Sequence, residues 1–312
     1  MNALIVCAIL AGIFYFLLFN TTVIYFILAV LLMYFALSWY LVPASSARFN
    51  SARRKISICT WSDPSRPLVF GHFQVRVSKM LEYLDWASKK TGLKITLNHL
   101  ATKACGMALN EFPELIGKIC LGNFRPVKTI DSSCLISLEN GKNVYFVNTE
   151  DIPNKPLTVI CDEMEKKIAS LQKGDDGKLM KKNSQAFAKL PTCIAAVLGE
   201  IVYYLNGPMG IALPFLGMKK QQFGSFIISN LGMYGLETGY PPLFSVSHTI
   251  ATLTLMAIHD EAIVDNSKII VQKCMNVCVS FDHRYMDGIK AAKVQNRIKE
   301  ILEDPMQYIK LD

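Results

Sequence analysis

The first 47 residues of this 312-residue chain contain no lysine, arginine, aspartate or glutamate. A stretch of that length without one ionised side chain does not have the composition of a solvated domain. The opening "MNALIVCAILAGIFYFLLFN" also lacks an initial Lys or Arg, so it does not read as a cleaved signal peptide. Later in the chain there is no internal repeat, no low-complexity tract and no Ser/Gly-rich or Pro-rich linker, which leaves one large domain with its own core. No G-x-S-x-G elbow is present, and serine-hydrolase chemistry is therefore not expected. The nine cysteines, at 7, 59, 105, 120, 134, 161, 193, 274 and 278, have neither an even count nor a framework spacing. They read as reduced thiols. Cys274 and Cys278 are the nearest pair, and no Cys/His pair matches them, so no metal site is expected.

What the opening does contain is two apolar runs, 3–19 and 23–42, separated by Asn20-Thr21-Thr22. They help raise the hydrophobic content to 51% and the mean hydropathy to +0.28. Each is near the about 20 residues that span a bilayer core. The expectation is a transmembrane anchor over residues 1–47, formed as a two-helix hairpin. Arg48, Arg53, Arg54 and Lys55 follow in a basic linker, 48–56. Under the positive-inside rule they place the next domain on the cytoplasmic or matrix side of an integral membrane protein. The net charge of +8 lies wholly after residue 47. Its cations are interleaved with acids, as in "DEMEKKIASLQKGDDGKLMKK", the pattern of a solvated helix face and loop rather than a nucleic-acid site.

Residues 57–312 make the main domain. "FGHFQVRVSKMLEYLDWASKKTG" starts with alternation and turns helical, a strand-to-helix junction. In "ITLNHLATKACGMALNEFPEL", Thr96 or Asn98 is placed to cap a helix that Pro113 ends. Strands are expected at 132–138, 143–148, 225–229, 249–258, 269–271 and 275–281, and helices at 157–173, 185–205 and 288–302. That order suggests a large sheet with helices on one face, an α+β or α/β sandwich. "IAAVLGEIVYYLNGPMGIALPFL" imitates another span, but Glu200 and the Asn206-Gly207-Pro208 break argue for a buried or interfacial helix and loop.

Titratable chemistry concentrates in "SFDHRYMDGIKAA", residues 280–292. His283 falls where an apolar strand gives way to a turn, a place where neighbours can fix its tautomer and present one nitrogen to a substrate. Asp287 is placed to orient the loop, by accepting a hydrogen bond or pairing with an arginine, and Gly288 to relax it. The residue types alone fit a packed turn as well as a proton-transfer site. His72, His99, His248 and His259 share no ligand spacing and read as structural, as does Ser229 taken alone.

"SFDHRYMDG" resembles the DHRxxDG form of the histidine motif in the 2-oxoacid dehydrogenase acyltransferases, whose catalytic domains have the chloramphenicol acetyltransferase-like fold. "ITLNHLATKACGMALNEFPEL", "GSFIISNLGMYG" and "IKEILEDP" resemble further segments of that family in the same order, so the likeness runs from about Ile58 to the C-terminus. The resemblance implies a two-layer sandwich and acyl transfer between coenzyme A and a thiol or hydroxyl acceptor, without a covalent intermediate. His283 would be the general base, Asp287 would hold the loop and Ser229 would donate a hydrogen bond to the oxyanion. It also implies a homotrimer with active sites between subunits. The chain departs from the family in having no lipoyl attachment site or subunit-binding domain, and in having Ile116 where the family usually has asparagine. With the expected anchor, these departures leave a second reading: a catalytically silent trimeric subunit that meets other subunits in a membrane complex.

Overall fold

The computed structural model describes residues 12–16, 20–41, 67–120, 123–138, 143–173, 183, 187 and 189–311. The chain divides into two compact units, Met1–Ser57 and Ile58–Asp312.

In the first unit, the second apolar run forms helix α1 (Thr21–Leu41). Among the described residues no helix is long and apolar enough to cross a membrane. The expectation of an integral membrane protein with its catalytic domain on the cytoplasmic or matrix side is therefore corrected. Of the hairpin's first run only 12–16 is described, and the basic linker 48–56 lies outside the described residues.

The second unit is built on alternation. In β1 (Leu68–Arg76) Phe73 and Val75 are buried while His72 and Arg76 are exposed, the period of two that puts alternate side chains on opposite faces. Helix α2 (Ser78–Thr91) follows and ends at Gly92, which takes the left-handed conformation at φ 72°. After α3 (Leu97–Asn110) come a short ribbon of β2 (Gly117–Cys120) and β3 (Asn123–Pro126), then β4 (Ser132–Leu138) and β5 (Asn143–Thr149). Helices α4 (Leu157–Lys173) and α5 (Thr192–Asn206) precede β6 (Phe226–Asn230), β7 (Ala251–Asp265), β8 (Lys268–Asp282), α6 (Gly288–Glu303) and α7 (Pro305–Tyr308).

Six strands form one sheet in the order β1-β8-β7-β6-β4-β5. Strand β6 runs parallel to β4 and β7, and the other pairings are antiparallel. The sheet is thus mixed, and α2, α3, α4 and α6 pack against its strands and one another. Phe226, Ile228, Leu253, Leu255 and Val277 of the sheet meet Leu100, Ala104, Ile160, Ile298 and Ile301 of the helices in the core. The segments expected as separate strands at 269–271 and 275–281 are one strand, β8. Its partner β7 absorbs an irregularity between Leu255 and Ile258, which keeps the ladder continuous. Helix α5 is not buried all round: Val197, Leu198 and Ile201 are exposed.

Thr96 caps α3 through a reciprocal pair in which His99 takes the place usually held by Glu or Gln. The Thr96 backbone N–H donates to His99 Nδ1 at 3.1 Å. An accepting Nδ1 means a neutral ring, and burial lowers the His99 pKa to about 4. Because the folded pKa lies below the unfolded value near 6.5, the unfolded chain binds the proton first as pH falls. The gap between those two values corresponds to a loss of about 3 kcal/mol. Denaturant titrations of the full chain should show this loss developing between pH 6.5 and 4, and a much shallower loss in His99→Gln.

Candidate active site

Strand β8 delivers "SFDH" to the end of the sheet. Phe281 pairs with Ala251 of β7, and Asp282 with Leu68 of β1. Two backbone bonds then fix the exit: the Asp282 N–H donates to Ile250 O at 3.0 Å, and the His283 N–H to Pro67 O at 2.9 Å. The His283 side chain is exposed just past the strand. Beside it, the Asp282 carboxylate, buried at 4% side-chain exposure, grips the Arg284 guanidinium, with Nε to Oδ1 at 3.0 Å and Nη2 to Oδ2 at 2.6 Å. That hydrogen-bonded carboxylate raises the Arg284 pKa. A bidentate pair of this kind holds a turn in one geometry. Arg284 and Asp282 are thus partners within the turn.

Asp287 is the N-cap of α6: its Oδ1 accepts the Lys290 N–H at 2.8 Å. Of the two roles its spacing allows, the structure displays the hydrogen-bonded one. Gly288 differs from expectation. It is not among the glycines with positive φ, and an added Cβ would meet nothing within 4 Å, because it sits at the first position of a regular helix. Tyr285 turns inward, and its hydroxyl accepts the Ile119 N–H of β2 at 3.1 Å, tying the histidine turn to the strand that follows Pro113–Leu115.

Ser229 lies on β6, 7% exposed, opposite Thr254 of β7. The turn beyond it is held by Asn230, whose Nδ2 donates to Asn98 Oδ1 at 3.1 Å. Gly232 has a strict packing role: a Cβ there would lie 2.3 Å from Met256 O. Gly232→Ala therefore has to move backbone rather than a side chain, and a thermal melt should register a loss at the upper end of the about 1–3 kcal/mol typical of overpacking, or beyond.

Ser229 and His283 are not brought together within one chain. Thr254, opposite Ser229, is itself opposite Cys278, and His283 is five residues further along. At about 3.3 Å per residue and about 4.8 Å per strand spacing, the offset is about 17 Å along the strands and about 10 Å across them. The site expected from the sequence is thus divided between two ends of the sheet.

The other histidines have structural partners. His72 Nδ1 lies 2.6 Å from the Tyr240 hydroxyl, and His259 Nε2 lies 3.1 Å from Glu261 Oε2. His248 stacks edge-on to Tyr204 at 5.8 Å. Cys274 and Cys278 are free and buried, and desolvation raises both thiol pKa values. Among the described residues, no group of three His, Cys, Asp or Glu side chains is arranged to hold a metal ion. The group that the sequence does not announce is Lys118, 1% exposed on β2. Its only local signal is a single cation inside the apolar run "LIGKIC".

The chain superposes with a TM-score of 0.60 on a probable dihydrolipoamide acetyltransferase from Listeria monocytogenes, at 18% identity over 87% of this chain and 97% of that one. It superposes with a TM-score of 0.56 on the cubic core of a pyruvate dehydrogenase multienzyme complex, at 16% identity over 84% of this chain and 89% of that one. Residues 216–309, which include Ser229 and His283, match the family model described as 2-oxoacid dehydrogenases acyltransferase (catalytic domain). Among curated relatives, the dihydrolipoyllysine-residue succinyltransferase component of the 2-oxoglutarate dehydrogenase complex from Bartonella vinsonii is 26% identical over 73% of this chain. The chain spans 44% of that relative's length. Its homologues are dihydrolipoyllysine acyltransferases, and the resemblance read from the motifs is that family's.

Proposed function

We propose that the chain transfers an acyl group between coenzyme A and a thiol acceptor of the dihydrolipoyl kind, through active sites each shared by two copies of the chain in a homotrimer. The observation that carries this reading is the placement of His283: an exposed imidazole just past β8, its turn locked by the Asp282–Arg284 pair and its following helix capped by Asp287. The curated relatives named as dihydrolipoyllysine acyltransferases supply the substrate class.

In the forward direction His283 takes the proton from the acceptor thiol, and the sulfur attacks the thioester carbonyl of acyl-coenzyme A. The carbonyl electron pair moves onto oxygen, and the Ser229 hydroxyl of a neighbouring copy donates a hydrogen bond to that oxyanion. Collapse breaks the bond to the coenzyme A sulfur, which receives the proton held by His283. No acyl-enzyme forms. The offset between Ser229 and His283 within one chain supports the shared site, because a single copy offers either the base or the oxyanion donor at one place.

Mixing the full chain with acetyl-coenzyme A and dihydrolipoamide tests the proposal. Saturable release of coenzyme A thiol, dependent on the dihydrolipoamide, is the expected result. Neither saturable binding nor release would leave the silent trimeric subunit as the better reading.

A further inference from the structure

Lys118 is a buried cation that the proposed chemistry does not use. Its Nζ donates to Gly224 O at 2.5 Å and to His248 O at 2.8 Å, and no carboxylate lies within ion-pair distance of it among the described residues. Both carbonyls belong to backbone held in unusual conformations. Gly224 has φ +65°, and a Cβ there would lie 2.4 Å from Asp131 O. His248 has φ 51°, a left-handed conformation uncommon for a non-glycine residue. The single ammonium therefore joins β2 to two constrained turns.

The Gly224 turn opens the strand that bears Ser229, and the His248 turn opens β7, whose first residue pairs with the end of β8 just before His283. Gly224 is two residues before β6, the strand of Ser229. His248 is three residues before β7, and a ladder of backbone bonds leads from this point to the histidine. Ser225 N–H donates to Asp131 O at 2.7 Å, Ile250 N–H to Ser225 O at 2.8 Å, and Asp282 N–H to Ile250 O at 3.0 Å. His283 is the next residue. On the other side of Lys118, the Ile119 N–H meets the Tyr285 hydroxyl in the same histidine turn. A shift of Lys118 reaches Asp282 through this ladder and Tyr285 through β2.

We infer that Lys118 is a positioning residue for acyl transfer, its ammonium locking the Gly224 and His248 turns so that β6 and the end of β8 are held in their reactive places. The inference rests on the acyl-transfer reading. Lys118 touches no reacting atom in it.

The charged and titratable neighbours set how this lock responds to pH. The charge of Asp131 favours the ammonium; its Oδ1 is already occupied by the Asp151 N–H at 2.8 Å. Arg125, opposite Lys118 on β3, donates instead to Pro208 O and Met209 O. His248, whose carbonyl Lys118 holds, and Tyr285, which meets the next residue of β2, lie beside it. Desolvation outweighs the help from Asp131 and lowers the Lys118 pKa to about 7. The charge-assisted bonds to both carbonyls are therefore complete below about 7 and weaken above it.

The test compares wild type with Lys118→Met in transfer from acetyl-coenzyme A to dihydrolipoamide across pH 6 to 9, alongside amide exchange of the full chain. Displacing aligned groups by about 1 Å costs up to about 100-fold, so kcat of Lys118→Met should fall at least about tenfold with KM for acetyl-coenzyme A little changed. Wild type should lose turnover as pH rises past about 7, and the variant should lack that limb. Exchange in the variant should quicken at residues 224–226 and 248–251 and stay unchanged in β4 and β5. Should Lys118→Met not fold, Lys118→Gln carries the same comparisons, since its neutral amide has no limb to lose. Wild-type kcat and an unaltered pH profile in the variant would overturn the inference, as would unaltered exchange at both turns. Absence of transfer in the wild type would defeat the acyl-transfer reading instead, and the exchange result would then decide the lock.

Discussion

Replacing His283 with alanine should reduce acyl transfer by about 10²- to 10⁴-fold, the range a positioned general base contributes. The loss should fall on kcat, because the imidazole acts as the proton moves and not as coenzyme A binds. Stability should change little. The His283 side chain is exposed, while the backbone bond to Pro67 O and the Asp282–Arg284 pair that shape the turn do not use its ring. A melting temperature close to wild type together with near-complete loss of thiol release would therefore place the defect in the chemistry. Unchanged turnover in His283→Ala would remove the base from the mechanism.

Ser229→Ala is expected to have the second largest effect. One hydrogen-bond donor to an oxyanion is worth about 2.7–4 kcal/mol, or about 10²- to 10³-fold in kcat. The substitution removes one oxygen at a site 7% exposed on β6 and leaves the β6–β7 pairing intact, so KM and the fold should be retained. Steady-state kinetics with acetyl-coenzyme A would check this. A loss confined to KM would mean that Ser229 serves binding and that the oxyanion is stabilised elsewhere.

Local patterns carried much of this architecture. The alternation in "FGHFQVRV" became β1, and the strand-to-turn change in "CMNVCVSFDH" became the end of β8 with His283 just beyond it. Gly232, inside the segment "GSFIISNLGMYG", has its reason only in the structure, where the close approach to Met256 O leaves room only for glycine. What local pattern could not convey was distance. Ser229 and His283 are 54 positions apart in the chain, and only the strand order shows that one copy does not unite them. Lys118 was hidden for the same reason, since the carbonyls it grips lie 106 and 130 positions away. The expected membrane placement is corrected for a different reason. An apolar composition suggests a span, yet among the described residues no helix is long and apolar enough to cross a membrane.

Joint contribution of two copies to one site is the claim on which the mechanism depends, and co-expression of His283→Ala with Ser229→Ala examines it most directly. A site that takes its imidazole from one copy and its hydroxyl from the next is intact in about one quarter of positions when the two variants mix at random in equal amounts. The mixed protein should then recover about one quarter of wild-type turnover, although each variant alone is nearly inactive. Turnover no higher than that of the separate variants, in assemblies shown to contain both chains, would contradict the shared site.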